Sequence, residues 1–323
     1  MSERIALDIH AHLAPIFPDE LKGIAGVEWK PETKVLSVDG HNVGMKPLFD
    51  PPALVAWMEK NSVECAWISI PPPLYRAELH GNEARAWTTY CNEGLKRIAE
   101  RYPAKLSPLP HLPLQDPAIA AEVAKNWIAC GHRRFGAPSG GHGDRVLSDK
   151  SYEPLWQCLD DASAFVFFHP GECADGRLTA FYLSNLLGNP YETAVAIGHL
   201  TFGGVFEKFP NIRFGFAHGG GVLPMLAGRF ERGYDTARPD IDTKAKSPQR
   251  LFRNVCVDCI THDPHSLALA EKVFGETQIM FGSDWPFPMG LPEPHAQMAP
   301  LDAARRKRIF CDNPERLIKE TTR

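Results

Sequence analysis

Two histidines one residue apart, His10 and His12, close the apolar run Ile5-Ala-Leu-Asp-Ile9. Residues two apart on a β-strand point to the same side, so both imidazoles are aimed at one spot. Two neutral imidazoles at that spacing suit a zinc-like divalent ion. Three more strand-like runs end in residue types of the same chemistry. Ala164-Phe-Val-Phe-Phe168 runs into His169, followed by Pro170-Gly171-Glu172. Ile212–Ala217 runs into His218 and then three glycines, and Gln278–Ser283 runs into Asp284, followed by Trp285-Pro-Phe287. His10, His12, His169 and Asp284 offer three nitrogens and a carboxylate oxygen. That set fits one divalent ion with a position left open; zinc is expected and manganese also suits the donors. His132–Ser139, at the end of a fourth run, contains no lysine to bridge a second ion. His218 is left as a general acid–base, with Asp284 placed to share the proton transfer.

Elements that would bring these residues together follow from the periodicity. Strand-like runs are expected at Ile5–Ile9, Ala66–Ile70, Leu106–Leu109, Arg133–Ala137, Phe165–Phe168, Ile212–Ala217, Asn254–Asp258 and Gln278–Gly282. Helical stretches lie between them, including a long one over Leu178–Phe209 that is expected to break at Gly188-Asn-Pro190. Eight strands, each followed by a helix, predict a (β/α)8 barrel, whose active site is built at the C-terminal strand ends. An open doubly wound sheet usually carries a glycine-rich turn after its first strand, where this chain has His-Ala-His. Residues 13–51 do not fit the alternation. Apolar flanks around Asp39-Gly40 predict a small β-hairpin there, an insertion leaving strand one and placed as a lid over the barrel mouth. The expected organisation is a single domain over 1–323 with this one insertion.

Composition narrows the function. The chain has 323 residues, 44% hydrophobic and 23% charged, with a net charge of −4. A mildly acidic surface does not attract nucleic acid or anionic membrane, so neither is expected as a partner. No apolar run reaches transmembrane length, no export signal is evident, and the cytoplasm is the expected location. The eight cysteines are scattered, which does not read as a disulfide framework. Cys256 and Cys259 lie on one strand three apart, so they face opposite sides and do not form a clamp.

The phrases Phe216-Ala-His-Gly-Gly-Gly221, Phe281-Gly-Ser-Asp-Trp-Pro-Phe-Pro-Met-Gly290, Gly203-Gly-Val-Phe-Glu-Lys-Phe-Pro210 and Thr261-His-Asp-Pro-His-Ser-Leu267 resemble the amidohydrolase superfamily. Within it, the chain is most similar to the branch of non-oxidative decarboxylases that includes the 2-amino-3-carboxymuconate-6-semialdehyde decarboxylases. The resemblance covers nearly the whole chain and is strongest after His169. It implies zinc on His10, His12, His169 and Asp284, with His218 beside it as acid–base. It also implies a homodimer in which Arg229 reaches a substrate carboxylate across the interface, and a pocket lined by Phe287. Three features depart from that branch. The hairpin Asp39–Lys46 lacks an arginine, His169-Pro is followed by Gly171 rather than Trp, and no aromatic residue stands at Leu183-Ser-Asn185. Arg76, after strand two, is the candidate replacement for the missing carboxylate clamp.

The expected function is metal-dependent, non-oxidative decarboxylation of a small aromatic or conjugated unsaturated carboxylic acid. Phe287, Trp285 and Tyr75 would form a flat apolar slot for a planar substrate. The alternative is a hydrolase or hydratase acting on a lactone, amide or carbon–carbon bond at the same site.

Overall fold

The computed structural model describes residues 3–140, 145–171 and 173–321. Its eleven strands are β1 (Ile5–His12), β2 (Val27–Lys30), β3 (Val35–Val38), β4 (His41–Val43), β5 (Val63–Ser69), β6 (Leu106–Pro108), β7 (Arg134–Pro138), β8 (Phe165–His169), β9 (Arg213–Phe216), β10 (Val255–Asp258) and β11 (Ile279–Met280). Eight of them form two parallel sheets, β1-β5-β6 and β7-β8-β9-β10-β11, with helices between successive strands. Ladder pairing is thus split into three and five strands rather than running through one sheet of eight. The seams are joined by shorter links. Ala11 bridges Trp285 and His111 bridges Gly136, both in parallel sense. Beside the first bridge, Ile9 N–H donates to Phe281 and Asp284 N–H to His10.

Every residue of β1 is buried, as are all of β8 and β10. Parallel strands covered on both sides need apolar residues at every position, which explains the unbroken apolar runs. Leu7, Ile9, Trp67, Phe165, Phe167 and Met280 form a cluster between the two sheets, with Trp67 and Phe165 5.1 Å apart. A larger cluster joins the other strand faces to the helices. The β1–β5 ladder shifts register between Asp8 and Ala11. Such a shift re-aims side chains. Leu7 and Ile9 pack in the inner cluster, and His10 then lies over Phe167 of that cluster at 5.1 Å.

Residues 27–43 fold as a three-stranded antiparallel sheet, β2-β3-β4, and not as a single pair. Asp39 and Gly40 connect β3 to β4 with φ of 47° and 82°, the paired left-handed geometry of a tight hairpin turn. The helical stretch after β8 also differs from its expected break. A π-turn over Ser184–Gly188 leads directly into the α-helix Asn189–Phe202, because Pro190 sits in the first turn, where its missing N–H costs nothing. The chain breaks later, at Gly203 and the left-handed Gly204.

Candidate active site

The ends of β1, β8, β9 and β11 meet at one place. Ligand atoms of His10, His12, His169 and Asp284 all lie within 4.8 Å of one another, and all four residues are buried. His10 Nε2 and His12 Nε2 are 3.1 Å apart, and each is 3.2 Å from Asp284 Oδ1. The rings of His169 and His10 are 4.9 Å apart at a steep angle. The second nitrogen of each imidazole is occupied elsewhere. His10 Nδ1 meets Asp258 Oδ2 at 2.7 Å, His12 Nδ1 meets Ser69 Oγ at 3.1 Å, and His169 Nδ1 meets the Pro170 carbonyl at 2.9 Å. A donor on the outer nitrogen leaves a lone pair on the inner one, which is how metal-binding histidines are held.

The electrostatics of His169, His12 and Asp284 fit the same use, whereas at His10 burial is outweighed by the nearby carboxylates of Asp284 and Asp258, which raise it to about 10. Burial pushes His169 well below its ordinary value, and neighbouring His12, His10 and His218 push it further. Burial also lowers His12. Burial alone would raise Asp284, but His10, His12 and His218 hold it well below the usual carboxylate range. Asp284 Oδ1 is buried and makes no hydrogen bond among the described residues, although two imidazole nitrogens lie 3.2 Å away. Three inward-facing imidazoles around an orphaned carboxylate oxygen fit a divalent ion.

His218 stands at the edge of this cluster. Its Nε2 is 3.8 Å from Asp284 Oδ2 and its side chain is 18% exposed, against 0% for His10 and His12. His218 and Asp284 have φ of 56° and 55°, a left-handed conformation that residues with a side chain seldom adopt. Each is held there by backbone bonds: His218 N–H donates to Asp258 at 2.9 Å, and Asp284 N–H to the His10 carbonyl at 2.7 Å.

Both residues, with His169, line a cavity of about 1380 Å³. Phe287 lines it too, its ring edge-on to His12 at 5.4 Å. His41 of β4 forms part of its wall, and Tyr182, Leu186 and Met225 belong to its outer rim. Among the described residues, no lysine or arginine lines it.

Arg76 and Trp285, both expected as substrate contacts, are engaged with other parts of the chain. Arg76 is not a free clamp. Its guanidinium makes two bonds to Asp39 at 2.7 and 2.8 Å, donates to the Ala25 carbonyl and stacks on Trp87, so it ties the β2–β4 sheet to the loop after β5. Trp285 is outside the slot. Its carbonyl accepts from His12 N–H, and its side chain borders a separate small cavity with Trp57 and Pro292. Tyr75 is buried and stacked on His111 at 4.8 Å. Arg229 is exposed on the helix Leu223–Asp235 and makes no ion pair among the described residues. Glu172, next to the His169-Pro-Gly phrase, lies outside the described residues.

Sequence reasoning passed over two buried carboxylates. Asp258 ends β10, as the metal-ligand types end their own strands, and that position was the available signal. Asp8 carried none, because it stands inside an apolar strand. It accepts from Ser283 Oγ at 2.5 Å and from Ser283 N–H at 2.9 Å, tying β1 to the residue before Asp284. Burial pushes Asp8 up to about 7.

Residues 7–319 match the amidohydrolase family, and the chain belongs to it. A 2-amino-3-carboxymuconate-6-semialdehyde decarboxylase from Dictyostelium discoideum is 29% identical over 249 residues, covering 75% of this chain and 68% of that protein. A 2-keto-4-carboxy-3-hexenedioate hydratase from a Sphingobium species is 29% identical over 61% of this chain and 58% of its own length. The crystal structure of a 5-carboxyvanillate decarboxylase from Novosphingobium aromaticivorans, with bound manganese, shares the fold. Its TM-score is 0.78 at 18% identity, covering 98% of this chain and 97% of that one.

Proposed function

We propose that this chain is a metal-dependent carboxy-lyase that removes carbon dioxide, without oxidation, from a small aromatic or conjugated unsaturated carboxylic acid. The observation that carries this reading is the convergence of His10, His12, His169 and Asp284 at the floor of a cavity, where His169 and Asp284 line it and His10 and His12 lie buried behind them, with His218 beside the group. Its scaffold is read as a (β/α)8 barrel whose two sheets meet at both seams, in one domain over 1–323, with residues 13–51 as a lid. Placement of His41 in the cavity wall supports the lid.

His10, His12, His169 and Asp284 would hold the ion. Zinc is the expected occupant and manganese suits the same donors. When bound, such an ion supplies a Lewis acid beside the substrate's oxygen atoms. The chain supplies the proton chemistry. In the reaction the bond from carbon to the carboxylate breaks, its electron pair stays on that carbon, and a proton takes the carboxylate's place. His218 Nε2 faces both the cavity and Asp284 Oδ2, so it is placed to hold that proton and deliver it. Phe287 offers an aromatic face for a planar acid and excludes water beside His12.

Arg229 is proposed to serve a partner's cavity in a homodimer. Phe181, Tyr182, Leu186, Leu187, Tyr191 and Met225 are exposed apolar residues, and Met225 stands one helical turn before Arg229. Such a patch is characteristic of an interface. Sedimentation of a Phe181→Asp/Met225→Asp variant as a monomer, against a dimeric parent, is the expected result. All eight cysteines are free, which suits the reducing cytoplasm.

Mass spectrometry of products from a panel of hydroxybenzoates, aminobenzoates, carboxymuconate semialdehydes and lactones tests the reaction. Products lighter by carbon dioxide, lost in His218→Ala, are expected. Products that have gained water would instead establish the hydratase or hydrolase reading, which the similarity to the Sphingobium hydratase favours.

A further inference from the structure

Asp258 is completely buried at the end of β10. Its two oxygens accept four hydrogen bonds. Oδ2 takes His10 Nδ1–H at 2.7 Å and the backbone N–H of His218 at 2.9 Å. Oδ1 takes the backbone N–H of Gly219 at 2.9 Å and of Ile260 at 3.0 Å. The donors come from the ends of β1, β9 and β10, so one carboxylate touches both the metal-ligand histidine and the turn that carries the acid–base histidine.

We infer that Asp258 is a positioning residue that sets, through this single carboxylate, both the inward lone pair of His10 and the presentation of His218. This inference rests on the metal-site reading above. Accepting from Nδ1–H fixes His10 in the tautomer whose Nε2 lone pair points at His12 and Asp284. The two bonds to consecutive amides hold a strained turn. His218 at φ 56° is followed by Gly219 at 63°, and a side chain at Gly219 would meet Thr261 at 2.5 Å. Without an acceptor for those amides, the left-handed conformation of His218 has little to hold it. The site is also too crowded for a substitute. A side chain at Gly282 would press on Asp258 at 2.8 Å and on His10 at 2.9 Å.

Only a carboxylate serves all four donors. Asparagine has one oxygen, and in either orientation its NH₂ faces two N–H groups. Asparagine would therefore still serve two of the four donors, whereas Asp258→Ala removes the acceptor from all four. Asp258→Ala is the test, read by zinc affinity from chelator competition and by amide hydrogen exchange, with activity as a third readout. Zinc affinity is expected to fall about 10- to 100-fold, as for other partners of metal-binding histidines. Amides of 218, 219 and 260 are expected to exchange at least tenfold faster in the metal-free variant than in the metal-free parent. At saturating zinc kcat falls while KM stays within about twofold, because Asp258 does not touch substrate.

Parental zinc affinity and parental exchange in the variant overturn the inference while leaving the metal site standing. Faster exchange with unchanged zinc affinity confines Asp258 to the turn and overturns the coupling. Failure of the parent chain itself to take up zinc removes the metal-site reading and this inference together. Should the variant not fold, the parent decides. Zinc is expected to slow exchange at 218, 219 and 260, and unchanged rates there beside slowed exchange at 10–12 overturn the coupling.

Discussion

The floor and the rim of the cavity are built in opposite ways. On the floor, His10 and His12 are 0% exposed, Asp284 4% and His169 5%, and the outer nitrogen of each histidine is engaged by another group. On the rim, Met225 is 80% exposed and Tyr182 57%, and Phe181 beside Tyr182 is 87% exposed. Both regions contain left-handed residues. His218 and Asp284 on the floor, and Phe181 and Tyr182 on the rim, all have φ between 55° and 60°. Floor residues are pinned by bonds from neighbouring strands, whereas the rim pair stands in a solvent-facing loop. The difference fits the proposed division of work, with chemistry at strand ends that are fixed by hydrogen bonds and substrate choice in the loops above them.

Removing the ion should erase the distinction most completely. Treatment with a chelator is expected to reduce turnover to background with the helical circular dichroism unchanged, and zinc or manganese should restore it. Asp284→Asn is expected to lose both turnover and bound metal, measured by elemental mass spectrometry. Full activity in metal-free protein would break the assignment of the floor. Next, His218→Gln is expected to lower kcat by about 10²- to 10⁴-fold, the usual worth of a general acid–base, with metal content unchanged. Loss of metal in that variant would make His218 a ligand instead. At the border of floor and rim, Phe287→Ala should raise KM by about two- to tenfold, in line with an aromatic contact of roughly 0.5–1.5 kcal/mol, with kcat little altered. A large fall in kcat would move Phe287 from the wall into the machinery.

The smallest expected effect concerns a histidine that belongs to neither region. His132 packs between Trp127 and Phe135, and burial, then Arg134, push it down to about 4. Its folded value lies below the 6.5 of the unfolded chain, so the unfolded state binds the extra proton. The stability it contributes is present above pH 6.5 and is lost as pH falls toward 4. His132→Phe should flatten that part of the unfolding curve, followed by thermal melts at stepped pH, without changing kcat. An unchanged acid limb would show that buried histidines on the floor govern acid stability instead.

Much of the floor was legible because its signals are local. His-x-His at a strand end, a histidine after Phe165–Phe168 and an aspartate after Gln278–Ser283 each need only strand alternation and a rule about strand ends. The surroundings of Arg76 and Trp285 were not legible because they depend on partners far along the chain. Arg76 answers to Asp39, 37 residues earlier, and the Trp285 carbonyl to His12, 273 residues earlier. Asp258 escaped for the same reason, since its meaning lies in His10, 248 residues away.

Taken alone, the sequence determined the alternating α/β plan and the residue types able to hold a metal or carry a proton. Those follow from periodicity and side-chain chemistry, which are properties of short segments. Tertiary structure decided that Asp258 meets His10 and Asp8 meets Ser283, that Arg76 is spent on the β2–β4 sheet, and that the Trp285 side chain borders the separate small cavity. These are matters of which distant groups meet at hydrogen-bonding distance, and that is set only when the strands lie side by side.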